Sequence, residues 1–450
     1  MNVHFIAIGG SVMHQLAISL LNKGFIVSGS DDEIFEPAKS NLFQKGILPD
    51  ENGWFPEKIT GELDAVILGM HARLDNPELI KAKEIGLEIF SFPEYIYNQS
   101  TNKTRVAIGG SHGKTTTTSM IMHVLKGCNK DFDYMVGAKL SGFEQSVQIT
   151  DAPVIICEAD EYPASAIEKR PKFHFLFPHI AVLTGIAWDH INVFPTFEFY
   201  KEQFIIFINK IEKNGVLIYN ESDPVLKVLI ETNKREDLRY IFYGVPLHSI
   251  VEGETNVTLD DVSGDINVFG NHNLMNLNAA YLVCKELGVT AQDFLDAIEN
   301  FSGASKRLEV MFKEEGFNIY RDFAHAPSKV KASIDAVRNQ FPDRKLYCLL
   351  ELHTYSSLNA DFMEQYKGVM DPADKGVVFY SPHALEIKRM PALDPQVVLN
   401  GFNKPGLKVM TNTADLKKWL MELNTTNANL LLMSSGTYEG LDILSILKKG

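Results

Sequence analysis

The sequence predicts an α/β protein of three domains built on parallel sheets. Strand-like apolar runs alternate with helix-like runs along nearly the whole chain, as expected where helices carry the chain between parallel strands. Its 450 residues suggest about three domains. Two glycine turns, Gly9-Gly10 and Gly109-Gly110, each follow an apolar run and lead into a helix-prone stretch. These features divide the chain into a Rossmann-like domain at 1–103, a central phosphate-loop domain at 104–303 and a second Rossmann-like domain at 304–450.

In the first domain, Val3 to Ile8 reads as a buried strand and His14 to Lys23 as the helix after the turn. Phe25 to Ser28 forms the next strand, ending at Asp31-Asp32, with further strands at Val66 to Leu68 and Glu88 to Phe90. The polar run Asn98-Gln99-Ser100-Thr101-Asn102-Lys103 lacks apolar periodicity and is read as a linker with no core to join. In the second domain, strands are expected at Arg105 to Ile108, Val154 to Cys157, Ile180 to Leu183 and Gly215 to Tyr219. Helices are expected from Thr117 to Lys126 and from Leu274 to Glu286. Ser302-Gly303-Ala304-Ser305 reads as a hinge of small residues. Beyond it, Asn318 to Tyr320, Lys345 to Leu350, Val377 to Tyr380 and Leu430 to Met433 complete the strands.

Composition narrows the function classes. A formal charge of −14 with no long basic run argues against a nucleic-acid-coating surface. No apolar run approaches a membrane span, and Met1-Asn2-Val3-His4-Phe5 lacks a basic segment before an apolar one, so no signal peptide is read. Cys128, Cys157, Cys284 and Cys348 show no CxxC spacing and read as reduced. A cytoplasmic protein with neither nucleic acid nor membrane as partner is expected.

Gly109-Gly110-Ser111-His112-Gly113-Lys114-Thr115-Thr116 carries the most chemistry. A strand feeding a glycine turn and a helix start makes an anion cradle, because glycines admit close approach and the helix dipole attracts negative charge. Lys114 is placed for the β/γ-phosphates of a nucleoside triphosphate and the Thr115 hydroxyl for Mg²⁺. The first glycine of the general phosphate-loop pattern would fall at Ile108. Glu158 and Asp160 stand just past the carboxyl end of a buried strand, where ligands bind in open α/β sheets. A carboxylate there suits Mg²⁺, although three acids in four residues also suit a solvated turn.

Gly9-Gly10, with Asp31 about twenty residues on, has the layout of a mononucleotide-binding unit, and a plain βαβ turn fits those residues equally. His190, taken by spacing alone, reads as a structural histidine rather than a metal ligand. Asn271 and Asn273 suit helix capping, whereas Asn276, inside the helix, suits an adenine edge. Arg307 at the hinge has the fork geometry for a γ-phosphate. Asp322, His325, His353 and Ser356 follow strands and fit a substrate pocket.

Taken together, these runs resemble the Mur ligase family of ATP-dependent amide-forming enzymes. The resemblance covers nearly the whole chain. It is carried by Ile8-Gly9-Gly10, Gly110 to Thr116, Glu158-Ala159-Asp160-Glu161, Asp189-His190, Gly270-Asn271-His272-Asn273 with Asn276, Arg307-Leu308-Glu309, Asp322-Phe323-Ala324-His325 and His353-Thr354-Tyr355-Ser356. It implies ATP binding by Gly110, Ser111, His112, Gly113, Lys114, Thr115, Thr116, Asn276, Arg307 and Asp322. It implies UDP-sugar binding by Gly9, Gly10, Ser11, Asp31 and His71, acceptor binding by His325, His353 and Ser356, and Mg²⁺ on Thr115, Glu158 and His190. Lys114, Glu158, His190 and Arg307 would serve catalysis.

The implied partners are UDP-N-acetylmuramate and a short peptide or L-alanine, in a monomer or weak homodimer. The implied reaction phosphorylates the lactyl carboxylate and passes the acyl group to an amine, with domain closure keeping water out. The acceptor is expected to be the tripeptide L-Ala-γ-D-Glu-meso-diaminopimelate. Val12, the run Glu158 to Tyr162 with Lys169 to Phe173, and Met433 to Gly440 favour that branch; His353 to Ser356 looks more like the L-alanine branch. A folate-type glutamate ligase and a non-catalytic nucleotide-binding relative are the other readings. The family pattern is broken at Ala326, Arg321, Thr184-Gly185 and Ala187.

Overall fold

The computed structural model describes residues 1–165, 167–188, 193–301 and 308–447. Two compact units emerge: Met1–Gly244 with Met275–Ala297, and Val245–Leu274 with Ile298–Gly450. The fold is α/β with several sheets that are mainly parallel. No helix among the described residues is long and apolar enough to cross a membrane.

The first unit holds two sheets. Strands β1 (Asn2–Ile6), β2 (Ile26–Ser30), β3 (Ala65–Leu68) and β4 (Ile89–Ser91) form a parallel sheet in the order β2-β1-β3-β4. The second sheet contains β5 (Thr104–Gly109), β6 (Asp133–Met135), β7 (Val147–Gln148), β8 (Val154–Glu158), β9 (Ile180–Leu183), β10 (Val216–Asn220) and β11 (Arg239–Tyr243). Its order is β11-β10-β9-β5-β8-β6-β7, with only β7 antiparallel. Central β5 is buried from Arg105 to Gly109, which is why it reads as a continuous apolar run rather than an alternation.

The helix Met13–Asn22 buries Leu16 and Leu20 in a core continuous with Val147 and Ile149 of the second sheet's edge. Each such side chain contributes roughly 1.5–3 kcal/mol on burial. The Ser19 hydroxyl accepts from the Ile149 amide at 2.7 Å, which fixes the helix against that edge.

The polar run before β5 is not a loose linker. Phe92–Asn98 is a helix begun by a Ser91/Glu94 capping box. Lys103 is buried, paired with Asp133 at 2.9 Å, and donates to the carbonyls of Thr150 and Ala152. The Arg105 guanidinium donates to the Ser100 carbonyl and pairs with Glu212. Charged groups satisfied by carbonyls and two carboxylates hold this stretch, and apolar periodicity gives no sign of such anchoring.

The second unit carries an antiparallel sheet of β12 (Leu247–Val251), β13 (Glu254–Leu259) and β14 (Val262–Ile266). Its larger sheet contains β15 (Glu309–Glu314), β16 (Phe317–Asp322), β17 (Lys345–Glu351), β18 (Lys375–Phe379), β19 (Lys408–Met410) and β20 (Ala428–Met433), in the order β15-β16-β20-β17-β18-β19. All neighbours there are parallel except β15 with β16. This register sets the carboxyl ends of β16, β20 and β17 side by side. The β12–β14 sheet is absent from the sequence expectations. Leu247, Ile250 and Val251 on β12 are exposed, so its apolar residues mark no buried face.

Candidate active site

The phosphate loop runs from β5 into the helix Lys114–Gly127. Two of its glycines are required by geometry. Gly110 and Gly113 have φ of +119° and +87°, a region costly for any residue with a Cβ. A Cβ on Gly110 would stand 2.2 Å from the Thr184 hydroxyl, and one on Gly113 would stand 2.3 Å from Asn276 Oδ1. Asn276 therefore lies against the loop, and its Oδ1 accepts from the Thr117 hydroxyl at 3.4 Å. Asn273 does not cap its helix; its side-chain amide donates to the Phe269 carbonyl.

Lys114 Nζ donates to the Gly110 carbonyl at 2.7 Å and pairs with Glu161 Oε2 at 2.6 Å. The Thr115 hydroxyl donates to Glu158 Oε1 at 2.7 Å, and the Gly137 amide donates to Glu158 Oε2 at 3.1 Å. Hard oxygens from a hydroxyl and a carboxylate, close together beside a phosphate loop, suit Mg²⁺. Glu161 is a residue to which the sequence assigned no role. With Tyr200, whose hydroxyl bonds Ser111 Oγ at 2.9 Å and reaches Glu161 Oε1 at 3.4 Å, it braces the loop from below. Its signal was the third acid of Glu158-Ala159-Asp160-Glu161; Tyr200, inside a helix, gave none.

The segment after β9 supports the same loop through its backbone. The Ser111 amide donates to the Gly185 carbonyl at 2.9 Å and the Ala187 amide to the Ser111 hydroxyl at 2.8 Å. Asp160 pairs with Lys172 at 2.8 Å. Burial pushes its carboxyl up, but the Lys172 ammonium and the charge of Lys114 outweigh burial and hold it below the usual range.

At the first glycine turn, Asp31 Oδ2 accepts from the Gly9 amide at 2.7 Å. Burial pushes the Asp31 carboxyl up to about 6, assisted by Asp32 and opposed by the Gly9 amide. Gly10, Ser11 and His71 line a cavity of about 320 Å³ whose other wall includes Gly137, Glu158 and Lys172. The glycine turn and the strand-end acid of the second sheet thus face one space.

In the second unit, the Asp322 carboxylate accepts from the Ala324 amide at 2.8 Å, and its carbonyl accepts from the Ser434 amide. His325 turns Nδ1 to the Phe323 carbonyl at 2.9 Å. His353 is partly exposed, 3.9 Å from Glu351 Oε1. Glu351, buried, also accepts from the Ser434 hydroxyl and from the Tyr438 amide at 2.9 Å, so the Met433–Gly440 run folds around it. Ser356 is exposed. Arg321 pairs with Glu309 of β15 at 2.7 Å. Asp189, His190, Arg307 and the hinge at 302–305 lie outside the described residues. Among the described residues, no cluster of three or more His, Cys, Asp and Glu has a metal-binding arrangement.

A strand, a glycine turn and a helix with Lys114 and a Thr115–Glu158 pair form a phosphate-loop arrangement inside an α/β fold. Residues 2–103 match the Mur ligase family catalytic domain and residues 108–284 match the Mur ligase middle domain. The UDP-N-acetylmuramate–L-alanine ligase of Clostridium novyi is 32% identical over 382 residues, covering 81% of this chain and 80% of that one. The solved UDP-N-acetylmuramate–alanine ligase MurC of Thermotoga maritima has a TM-score of 0.66 at 21% identity, covering 100% of this chain and 98% of that one. The murein peptide ligase Mpl of Psychrobacter arcticus has a TM-score of 0.60, also at 21% identity, covering 99% and 98%. The chain belongs to the Mur ligase family, and is an ATP-dependent amide-forming ligase.

Proposed function

We propose that this ligase activates the lactyl carboxylate of UDP-N-acetylmuramate and joins it to the α-amine of an L-alanyl acceptor. The observation that carries the reading is the shared cavity. Gly10, Ser11 and His71 line one wall and Glu158, bonded to Thr115 of the phosphate loop, lines the other. Such a space suits a UDP-sugar with its diphosphate at the glycine turn and its carboxylate toward the triphosphate.

In this reading Gly9, Gly10, Ser11, Asp31 and His71 hold the UDP-sugar. Gly110 to Thr116 cradle ATP, Asn276 meets the adenine, and Arg307 and Asp322 complete the nucleotide site. Lys114 exchanges Glu161 for the β/γ-phosphates. Thr115, Glu158 and His190 would hold Mg²⁺, which supplies charge neutralisation at the transferring phosphoryl group. A carboxylate oxygen attacks the γ-phosphorus and ADP leaves; the neutral amine attacks the acyl carbon and phosphate leaves. His325, His353 and Ser356 position the acceptor. The domain boundaries at 103 and 303 and a cytoplasmic location belong to this proposal.

Free L-alanine is the acceptor that the relatives' similarity supports, since the Clostridium novyi enzyme is named for it. The tripeptide L-Ala-γ-D-Glu-meso-diaminopimelate is the second reading, favoured by the runs Glu158 to Tyr162, Lys169 to Phe173 and Met433 to Gly440. Phosphate release from ATP, Mg²⁺ and UDP-N-acetylmuramate tests both. Release that needs an acceptor supports the ligase, and the larger kcat/KM between L-alanine and tripeptide assigns the acceptor. No release with either would sink the reading.

A further inference from the structure

The cavity between the glycine turn and Glu158 has an unusual balance of charge. Met13, Leu68, Met70, Phe92, Met135 and Val136 give it a largely apolar wall. Its acids are Glu158 and Asp160, and among the described residues that line it Lys172 brings the one ammonium. An anionic sugar nucleotide entering an apolar space with two carboxylates meets repulsion strengthened by the low local dielectric. Lys172 is the lining group placed to offset it.

The lysine is firmly presented. Its amide donates to the Tyr162 carbonyl at 2.8 Å, and the next amide, that of Phe173, donates to the Asp160 carbonyl at 3.2 Å. Phe173 is fully buried and stacks on Phe207 with ring centroids 4.9 Å apart. Asp160 Oδ2 holds the ammonium at 2.8 Å while Asp160 Oδ1 accepts from the Tyr162 amide. An ammonium has three donors, so it can keep Asp160 and bind a second carboxylate.

We infer that Lys172 binds the lactyl carboxylate of the UDP-sugar, the group to be phosphorylated, with Asp160 as its positioning residue. This rests on the function proposed above and adds a substrate-binding residue to it. The diphosphate offers the same anionic chemistry, and two sugar nucleotides separate the sources. UDP-N-acetylmuramate carries the lactyl carboxylate; UDP-N-acetylglucosamine carries only the diphosphate.

Calorimetric titration of the full chain with each nucleotide, in wild type, Lys172→Met and Lys172→Arg, tests the assignment. Losing one charge-assisted hydrogen bond predicts roughly a 10- to 100-fold weaker affinity of Lys172→Met for UDP-N-acetylmuramate. UDP-N-acetylglucosamine should bind Lys172→Met and wild type within about twofold, taken here as indistinguishable, and Lys172→Arg should recover most of the loss. An equal loss for both nucleotides, or none for either, overturns the inference, as does a loss that arginine does not rescue in a variant that also fails to bind ATP. Wild type that binds no UDP-N-acetylmuramate would instead overturn the proposed function itself.

Discussion

Gly113→Ala tests the contact between the phosphate loop and Asn276, which links the triphosphate site to the residue read as meeting adenine. Two costs add at this position. The backbone sits at φ +87°, and a left-handed conformation costs a residue with a Cβ about 1–2 kcal/mol. The new methyl would also lie 2.3 Å from Asn276 Oδ1, so that amide must move, and overpacking of this kind costs about 1–3 kcal/mol. Together they amount to about 2–5 kcal/mol. Expressed in the loop, this raises the ATP dissociation constant by at least about 30-fold, at 1.4 kcal/mol per tenfold. Repeating the substitution in an Asn276→Ala background removes the collision and leaves the backbone cost, so the two changes should couple by more than about 1 kcal/mol. ATP titration and thermal melting of the four proteins give the answer. An ATP affinity within about twofold of wild type and an unchanged melting point would refute the reasoning; equal penalties in both backgrounds would refute the contact.

Three further outcomes follow from the same geometry. Lys114→Met takes the ammonium from Glu161, whose side chain is 2% exposed, and should destabilise the fold by up to about 3–5 kcal/mol; Lys114→Met with Glu161→Gln should recover most of that in chemical denaturation while remaining inactive. The Asp31 carboxyl, raised from 3.8 to about 6 by burial, gives stability that is complete below pH 3.8 and is lost as pH rises through about 6. Wild-type stability relative to Asp31→Asn should therefore fall across that window and be level above it, and a flat difference from pH 3 to 8 would contradict the burial argument. Gly436→Ala would place a Cβ 2.8 Å from Glu351 Oε2 and 3.0 Å from His353 Nδ1, so the acceptor KM should rise several-fold with the ATP KM unchanged.

The parallel strands were legible because buried strands write themselves as apolar runs: Ile180 to Leu183 is predicted and observed with the same ends. The phosphate loop was legible for a different reason, since its glycines answer to positive φ and close approach at Gly110 and Gly113. What escaped the sequence depends on contacts between distant residues. Nothing local marks Glu161 as the partner of Lys114, 47 positions away, or Tyr200 as the support of Ser111. The stretch 99–103 looks like a solvated linker because its one charge, Lys103, is satisfied by Asp133 and by the carbonyls of Thr150 and Ala152. The sheet at 247–266 was missed because its outer strand exposes its apolar residues. Gly185 and Ala187 carry no side chain that could advertise a role, yet they hold Ser111 through the backbone, because a carbonyl and an amide bond it whatever the side chain.

The central claim is that the carboxylate of the UDP-sugar becomes an acyl phosphate. Its most direct test follows oxygen. UDP-N-acetylmuramate labelled with ¹⁸O in both lactyl carboxylate oxygens is turned over with ATP, Mg²⁺ and the preferred acceptor, and the inorganic phosphate is analysed by mass. Attack of that carboxylate on the γ-phosphorus predicts one ¹⁸O in each phosphate released and one retained in the amide product. Unlabelled phosphate, formed in step with amide, would contradict the account.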